Sequence, residues 1–172
     1  MSAYRTANSI MPGAHDPNLY IAMEYISSKN IPRAKFFLDK ISTETDPFVL
    51  NEWGNYYYKN ENYEKAKIMF QKAISLIEHF GFKNWESVLF NLGNTLIKLS
   101  QYEAARKVFK RSLIYCKKQN KSSVLCALGI CCHFLKDLEA AILYYNKALA
   151  FDDKDYAVEY LLEIAILNKM KE

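Results

Sequence analysis

The chain has 172 residues, of which 51% are hydrophobic and 24% are charged, and its formal net charge is +4 at pH 7. This composition is typical of a folded domain and excludes a disordered chain, and so small a positive charge does not by itself indicate nucleic-acid binding. No apolar run approaches the roughly 20 residues of a membrane-spanning helix, and the first residues lack the apolar core of a secretion signal. Four cysteines without framework spacing indicate a reducing compartment.

A small residue recurs on one face of the predicted helices and sets the organisation of the chain. These reference residues are Ala22, Gly54, Gly93 and Gly129, at intervals of 32, 39 and 36 residues. Twelve residues after each comes an alanine, and four residues later comes a large residue, namely Leu38, Phe70, Phe109 and Tyr145. These are the offsets of the tetratricopeptide (TPR) repeat, a helix-turn-helix unit of about 34 residues that must be stacked to bury its apolar face. The sequence therefore predicts an all-α TPR solenoid, a right-handed superhelix of antiparallel helix pairs.

The predicted solenoid begins in the middle of a repeat. Residues 1–14 match only the second helix of a repeat, so either the chain is a fragment of a longer protein or the missing first helix comes from another chain. Repeat 1 is predicted at residues 15–46. Its end is marked by Asp46 and Pro47, because an aspartate N-cap followed by proline is a helix start signal.

Repeat 2 is predicted at residues 47–85 and is longer than the others. Its two helices are separated by a polar turn at Lys59–Glu61, and the second helix continues past Ile77. We expect Trp85 to pack into a wider step of the solenoid that these extra residues create.

The last predicted elements are two repeats and a terminal helix. Repeat 3 spans residues 86–121 and ends in the polar, basic link KKQNKSS, and repeat 4 spans residues 122–153. The helix within residues 154–172 is predicted to cap the solenoid. Because Glu163 lies among its apolar residues, we expect one polar face of this helix to be turned to water.

The first helices of such repeats line the concave side of the superhelix. Groove positions lie three before, one after and four after each reference residue, and Lys59 and Lys98 lie at the next step. The positions are Leu19, Met23 and Ile26; Asn51, Asn55 and Tyr58; Phe90, Asn94 and Ile97; Cys126, Ile130 and His133. This mixture favours a groove for an extended peptide, since Asn can pair with both peptide N–H and C=O groups and aromatic residues contact side chains.

A simpler interpretation is that Asn55 and Asn94 are ordinary solvated helix residues. Asn is a poor helix former, and both directly follow a reference glycine. Their equivalent positions therefore favour the groove interpretation.

Four cysteines do not predict a metal site. Cys131 and Cys132 are adjacent and diverge by about 100° on a helix, and no CxxC or HxxxH pattern is present. Cys132 is expected in the core. We expect no metal and no cofactor.

The outer helix of repeat 3 and its link are basic. Their cations are Lys107, Lys110, Arg111, Lys117, Lys118 and Lys121. Such a run is usually a solvated face, and the absence of interleaved aromatics disfavours nucleic acid. An acidic protein partner is the more favoured ligand.

Catalysis has no recognisable basis in this sequence. The three histidines fall in unrelated places, and no glycine-rich phosphate loop or nucleophile motif occurs. We therefore expect a non-catalytic protein.

Three segments go beyond a generic repeat. They are AYRTANSIMPGAHDPNLYIAMEY (3–25), DPFVLNEWG (46–54) and FKNWESVLFNLGNTLIKLSQYEAA (82–105). Together they resemble the C-terminal TPR arm of subunit six of the anaphase-promoting complex, the cell-division-cycle protein sixteen family. The likeness covers about residues 3–165 and does not extend to the family's N-terminal half, which makes its homodimer.

The resemblance implies a scaffold subunit of a multi-subunit ubiquitin ligase that acts in mitosis, in the nucleus or cytoplasm. It implies that the groove encloses the extended N-terminus of a very small partner subunit, of the cell-division-cycle protein twenty-six type. Other TPR subunits of the complex would also be partners, without nucleic acid or membrane.

Two other classes stay open. A TPR co-chaperone that binds the acidic tails of heat-shock chaperones would use groove residues such as Asn55 and Asn94, but it also needs groove cations. The candidate positions for them hold Leu19, Asn51, Ser123 and Ala127. An RNA-binding helical repeat would need cations on the concave face, and here they are predicted on the convex face.

Overall fold

Antiparallel helix pairs make up the part of the chain that a computed structural model describes, which is residues 16–41, 46–80, 86–152 and 154–171. This part contains nine α-helices, one short 3-10 helix and no strand, so the predicted all-α fold class is confirmed. Contacts group the chain into two compact units, Met1–Gly81 and Phe82–Glu172. The half-repeat expected at residues 1–14 and the packing expected of Trp85 lie outside the described residues.

The described part of the first unit holds two helix pairs around one apolar core. Its helices are α1 (Pro17–Ser27), α2 (Ile31–Leu38), α3 (Pro47–Lys59) and α4 (Tyr63–Phe80). Leu19 and Ile26 of α1, Leu38 of α2 and Trp53 of α3 are buried in the same cluster. The first pair therefore packs on the helix that opens the second, as expected of stacked repeats.

An Asp-Pro sequence begins the first helix of each described helix pair in this unit. The backbone N–H of Asn18 donates to Asp16 at 2.8 Å, and that of Phe48 donates to Asp46 at 2.8 Å. The carboxylate satisfies an N–H that lacks a partner within the helix, and the proline that follows needs none. The helix start predicted at Asp46 and Pro47 is confirmed.

A residue with left-handed backbone lies in the turn of every described pair, seven residues after the reference residue. These residues are Lys29 (φ 58°), Glu61 (φ 58°), Ser100 (φ 57°) and Lys136 (φ 64°). The turn predicted at Lys59–Glu61 begins one residue too early, because residues 60–62 separate the two helices. Lys59 belongs to α3, because helical hydrogen bonding continues to the N–H of Asn60, which donates to the carbonyl of Tyr56.

Five α-helices lie in the described part of the second unit. They are α5 (Glu86–Lys98), α6 (Tyr102–Tyr115), α7 (Lys121–Phe134), α8 (Leu138–Leu149) and α9 (Tyr156–Lys169). Val158 and Ala165 of α9 are buried in the core that α7 and α8 form. Glu163 is exposed as expected, but so are Tyr160 and Leu167, so the face of α9 turned to water is only partly polar.

The predicted overrun of the second helix of repeat 2 is confirmed. Helix α4 has 18 residues, against 8 in α2, 14 in α6 and 12 in α8. Its additional turns bury Ile74 and Ile77. Burial of these side chains stabilises turns that the repeat pattern alone would not require.

The basic link after α6 is more ordered than predicted. Lys118–Asn120 form a 3-10 helix, and α7 already begins at Lys121. The carboxylate of Glu86 accepts the backbone N–H of Lys117 at 2.9 Å and the side-chain amide of Asn120 at 2.7 Å. A single acid from α5 therefore holds both ends of the short helix.

The reference glycines allow the two helices of a pair to approach closely. A Cβ atom added to Gly54 or Gly93 would lie within 3.0 Å of ring atoms of Phe70 or Phe109 respectively, and Gly129 meets Tyr145 in the same way. The three rings are fully buried. The sequence pairs a small residue with a large one sixteen residues later because the aromatic ring packs directly over the glycine.

Candidate functional site

In the first unit, two groove residues of α3, Asn51 and Asn55, contact a buried acid. Asn51, Asn55 and Tyr58 are all half-buried. The amide nitrogen of Asn51 donates to Glu52 at 2.8 Å, and that of Asn55 donates to both carboxylate oxygens at 3.1 Å. The two amides therefore satisfy the carboxylate of Glu52. The side chains of Glu52, Asn51 and Asn55 form one polar cluster.

Glu52 is a functional candidate that the repeat pattern did not select. Its side chain is only 7% exposed, and within the described ranges no Lys or Arg forms a salt bridge with it. Burial raises the pKa of the Glu52 carboxyl, and the hydrogen bonds from Asn55 and Asn51 lower that pKa in part. A buried acid without a counter-ion is costly, which is why such groups mark candidate functional sites.

Replacing Glu52 with Gln should raise the free energy of unfolding at pH 7.5, because the amide carries no charge for burial to disfavour. The raised pKa means that the folded state favours the protonated carboxyl. Stability from this site is therefore present at low pH and is lost as the pH rises through the raised pKa. Urea unfolding at pH 7.5 and pH 4.5 measures this, and the gain should shrink at the lower pH.

The matched control is Glu24→Gln, which changes an exposed acid of α1. It should leave the free energy of unfolding nearly unchanged at both pH values. A Glu52→Gln variant less stable than wild type at pH 7.5 would mean that the carboxylate is favourably held.

In the second unit, the predicted groove positions of α5 share one face of the helix. Phe90, Asn94 and Ile97 are half-buried and Lys98 is exposed. The ring of Phe90 lies 5.7 Å from that of Phe109, so it rests on the core aromatic. No hydrogen bond to the side chain of Asn94 is found among the described residues, in contrast to Asn55.

On α7, the predicted groove residue His133 contacts the terminal helix. Ile130 and His133 are both half-buried. The Nε2 atom of His133 lies 3.1 Å from the side-chain nitrogen of Asn168 on α9, within hydrogen-bond distance. Lys169 of the same helix also pairs with Glu139 at 2.8 Å. His133 therefore belongs to the contact between α7 and α9.

The groove positions expected in repeat 1 are largely wrong. Leu19 is 1% exposed and Ile26 is 4% exposed, and both belong to the core, while Met23 packs against it. Burying an aliphatic side chain of this size contributes about 1.5–3 kcal/mol. These side chains therefore pack towards α3 and are not available to a ligand.

A cavity of about 660 Å³ lies in the first unit, between residues of α3 and α4. Trp53 and Tyr57 line it, and their rings stack at 5.6 Å. The indole nitrogen of Trp53 has no hydrogen-bond partner among the described residues. None of the predicted groove residues lines this cavity.

Of the cysteines on α7, Cys131 and Cys132 are buried and Cys126 is half-buried. Cys132 is buried in the core, as predicted. Burial raises the pKa of Cys131 to about 12 and that of Cys126 to about 11. Both thiols are therefore protonated at neutral pH, whereas metal binding and nucleophilic attack require the thiolate. In the described part of the chain no group of three or more His, Cys, Asp or Glu side chains is placed to hold a metal ion.

No described helix combines the length and the apolar composition that crossing a bilayer requires.

Comparison with known proteins supports both the repeat and the family resemblance. Anaphase-promoting complex subunit CDC16 of Saccharomyces cerevisiae is 32% identical over 170 residues, which is 96% of this chain and 20% of that protein. Cell division cycle protein 16 homolog of Homo sapiens is 32% identical over 161 residues, 90% of this chain and 26% of that protein. The chain thus spans between a fifth and about a quarter of the length of these relatives.

A solved structure gives the same result in three dimensions. A chain of the crystal structure of the APC/C hetero-tetramer Cut9-Hcn1 matches with a TM-score of 0.79 and 25% sequence identity, over 89% of this chain and 30% of that chain. The resemblance to subunit six that the three segments predicted is confirmed. The family model for the tetratricopeptide repeat matches residues 47–118 and 88–154, which together cover more than half of the sequence. The chain therefore belongs to the tetratricopeptide repeat family.

Proposed function

We propose that the chain is a non-catalytic protein-interaction scaffold, the TPR part of an anaphase-promoting complex subunit of the CDC16 type. The observation that carries this proposal is the 32% identity to yeast CDC16 over 96% of the chain. The three segments that go beyond a generic repeat support it further. In this role the chain contacts other TPR subunits of the same ubiquitin ligase and acts in the nucleus.

The ligand of the first helices is an extended peptide from a small partner subunit, of the cell-division-cycle protein twenty-six type. The presence of Cut9 together with Hcn1 in one crystal structure supports a small-subunit partner. The half-buried mixture of Asn94, Phe90 and Ile97 on α5 supports a peptide ligand, because it offers an amide beside apolar contact area. In the first unit, the cluster of Glu52 with Asn51 and Asn55 offers a polar anchor to the same kind of ligand.

The co-chaperone alternative finds less support. It requires groove cations that pair with an acidic tail. Two of the candidate positions hold uncharged residues. Leu19 is buried in the core, and Asn51 donates to Glu52.

Replacing Asn94 with Ala should weaken binding of the partner's N-terminal peptide by about tenfold while leaving the Tm nearly unchanged. One lost hydrogen bond of about 1–1.5 kcal/mol accounts for the affinity. The Tm is spared because, within the part that the structure describes, the Asn94 side chain makes no hydrogen bond that the variant would break. Isothermal titration calorimetry and thermal unfolding measure the two quantities.

The matched control is Asn146→Ala, since Asn146 is exposed on α8, a second helix. It should bind the peptide as wild type does. If Asn94→Ala binds as tightly as this control, Asn94 does not contact the peptide.

A further inference from the structure

The outer surface of the second unit carries a dense group of cations. Residues 104–136 contain eight Lys and Arg and no Asp or Glu. On α6, Lys107, Lys110 and Ile114 follow one another at helical spacing and are all exposed. Lys117 and Lys118 extend the group just beyond the helix end, and both are exposed. These five residues are called the basic face below.

Most of the charge on the basic face is not neutralised within the unit. Arg106 is paired with Glu103 at 2.9 Å and with Asp137 at 3.4 Å, so those two acids are already engaged. Glu86 accepts from the backbone of Lys117, not from its ammonium group. Among the residues that the structure describes, no salt bridge reaches the ammonium groups of the basic face.

An apolar residue stands within these cations. Ile114 is 77% exposed, although Ile is among the residues most often buried. An apolar contact surrounded by charged residues is the usual arrangement of a protein interface, where an apolar centre is ringed by polar groups. A nucleic-acid surface would instead present exposed aromatic rings interleaved with the cations. Phe109, the ring between Lys107 and Lys110, is fully buried, and the exposed ring of Tyr115 comes after Ile114, so no exposed ring separates the two lysines of α6.

We propose that the basic face binds an acidic segment of a partner protein, whose carboxylates pair with Lys107, Lys110, Lys117 and Lys118 and whose aliphatic side chain contacts Ile114. Charge complementarity favours an acidic ligand. The exposed side chain of Ile114 favours a protein segment over a polyanion that has no apolar groups. This surface lies on a second helix and its following turn. It is therefore independent of the proposed peptide ligand of the first helices.

The test uses the whole chain and synthetic probes. Fluorescence anisotropy is measured with the labelled peptides EELEELEE and EESEESEE, with a 20-nucleotide oligouridine, and in competition with phosphatidylserine vesicles. Wild type should bind EELEELEE most tightly. Affinity should fall as salt is raised, because exposed charges are screened.

Two variants separate the charge from the apolar contact. The fourfold variant Lys107→Gln, Lys110→Gln, Lys117→Gln, Lys118→Gln should bind both peptides at least about tenfold more weakly, as four exposed pairs of a few tenths of a kcal/mol each are lost. Ile114→Ser should weaken EELEELEE several-fold and leave EESEESEE unchanged. The control variant loses the same number of charges at exposed lysines elsewhere and should bind nearly as wild type does. Its substitutions are Lys65→Gln, Lys72→Gln, Lys154→Gln and Lys171→Gln.

Three results would overturn the proposal. They are tighter binding of oligouridine or of the vesicles than of EELEELEE, an equal loss in the control variant, and an Ile114→Ser variant that binds both peptides as wild type does. The first would identify a general polyanion surface, the second non-specific charge attraction, and the third a surface without an apolar contact.

Discussion

Replacing Phe70 with Ala should lower the free energy of unfolding by about 3–5 kcal/mol, the usual cost of removing a buried aromatic side chain. Phe70 is fully buried in α4, and its ring lies over Gly54 of α3. Because a glycine has no side chain to move into the space, the variant would leave a cavity between the two helices. Urea-induced unfolding measures the loss.

Ile68→Ala is the control for this prediction. Ile68 lies on the same helix but is exposed, so its truncation should change stability by less than about 1 kcal/mol. A loss below about 1 kcal/mol for Phe70→Ala would show that the ring does not fill the space between α3 and α4.

Replacing Gly93 with Val should lower the free energy of unfolding by about 1–3 kcal/mol, the typical cost of overpacking. Even the Cβ atom of a new side chain would lie within 3.0 Å of ring atoms of Phe109. Phe109 is fully buried, so its ring cannot turn away into solvent and the helices must move apart. Thermal and urea unfolding report the change.

A substitution at the next residue tests whether this effect comes from contact or from helix propensity. Asn94→Val introduces the same β-branched residue into the same turn of α5, at a half-buried position. Because Asn and Val have similar helix propensities, it should change stability by only a few tenths of a kcal/mol. Equal losses in the two variants would contradict the close approach at Gly93.

The spacing of small and large residues could be read from the sequence because steric contact leaves little choice of residue. At Gly54, Gly93 and Gly129 an aromatic ring occupies the space that any side chain would need. The same is true of the helix start at Asp46, where a short carboxylate followed by proline satisfies a local requirement. Such features depend on neighbours at fixed distances along the chain, so the pattern repeats.

The features that the sequence did not reveal depend on neighbours from other helices. Leu19 and Ile26 occupy groove positions of the repeat but pack towards α3, because they are apolar and the core accepts them. The order of the link at Lys118–Asn120 depends on Glu86, more than thirty residues earlier. His133 contacts Asn168, a residue of α9 that the repeat pattern does not relate to it.

Glu52 is a different case, because a local signal for it was present. An Asn three residues after an acid is its neighbour on a helix and can donate to it, as Asn55 does to Glu52. The groove positions lie three before, one after and four after the reference residue. Glu52 lies two before Gly54 and so falls between the first two of these positions. Hydrogen-bond pairs between helix neighbours thus carry information that the repeat offsets do not.

Calorimetric titration of the whole chain with three ligands tests the proposed scaffold function most directly. The ligands are the N-terminal peptide of the small partner subunit, an acidic C-terminal tail peptide of a heat-shock chaperone, and an RNA oligomer. The proposal predicts tight binding of the first peptide, weakened by Asn94→Ala, and weaker binding of the other two ligands that Asn94→Ala leaves unchanged. Tight binding of the chaperone tail with no binding of the first peptide would contradict it.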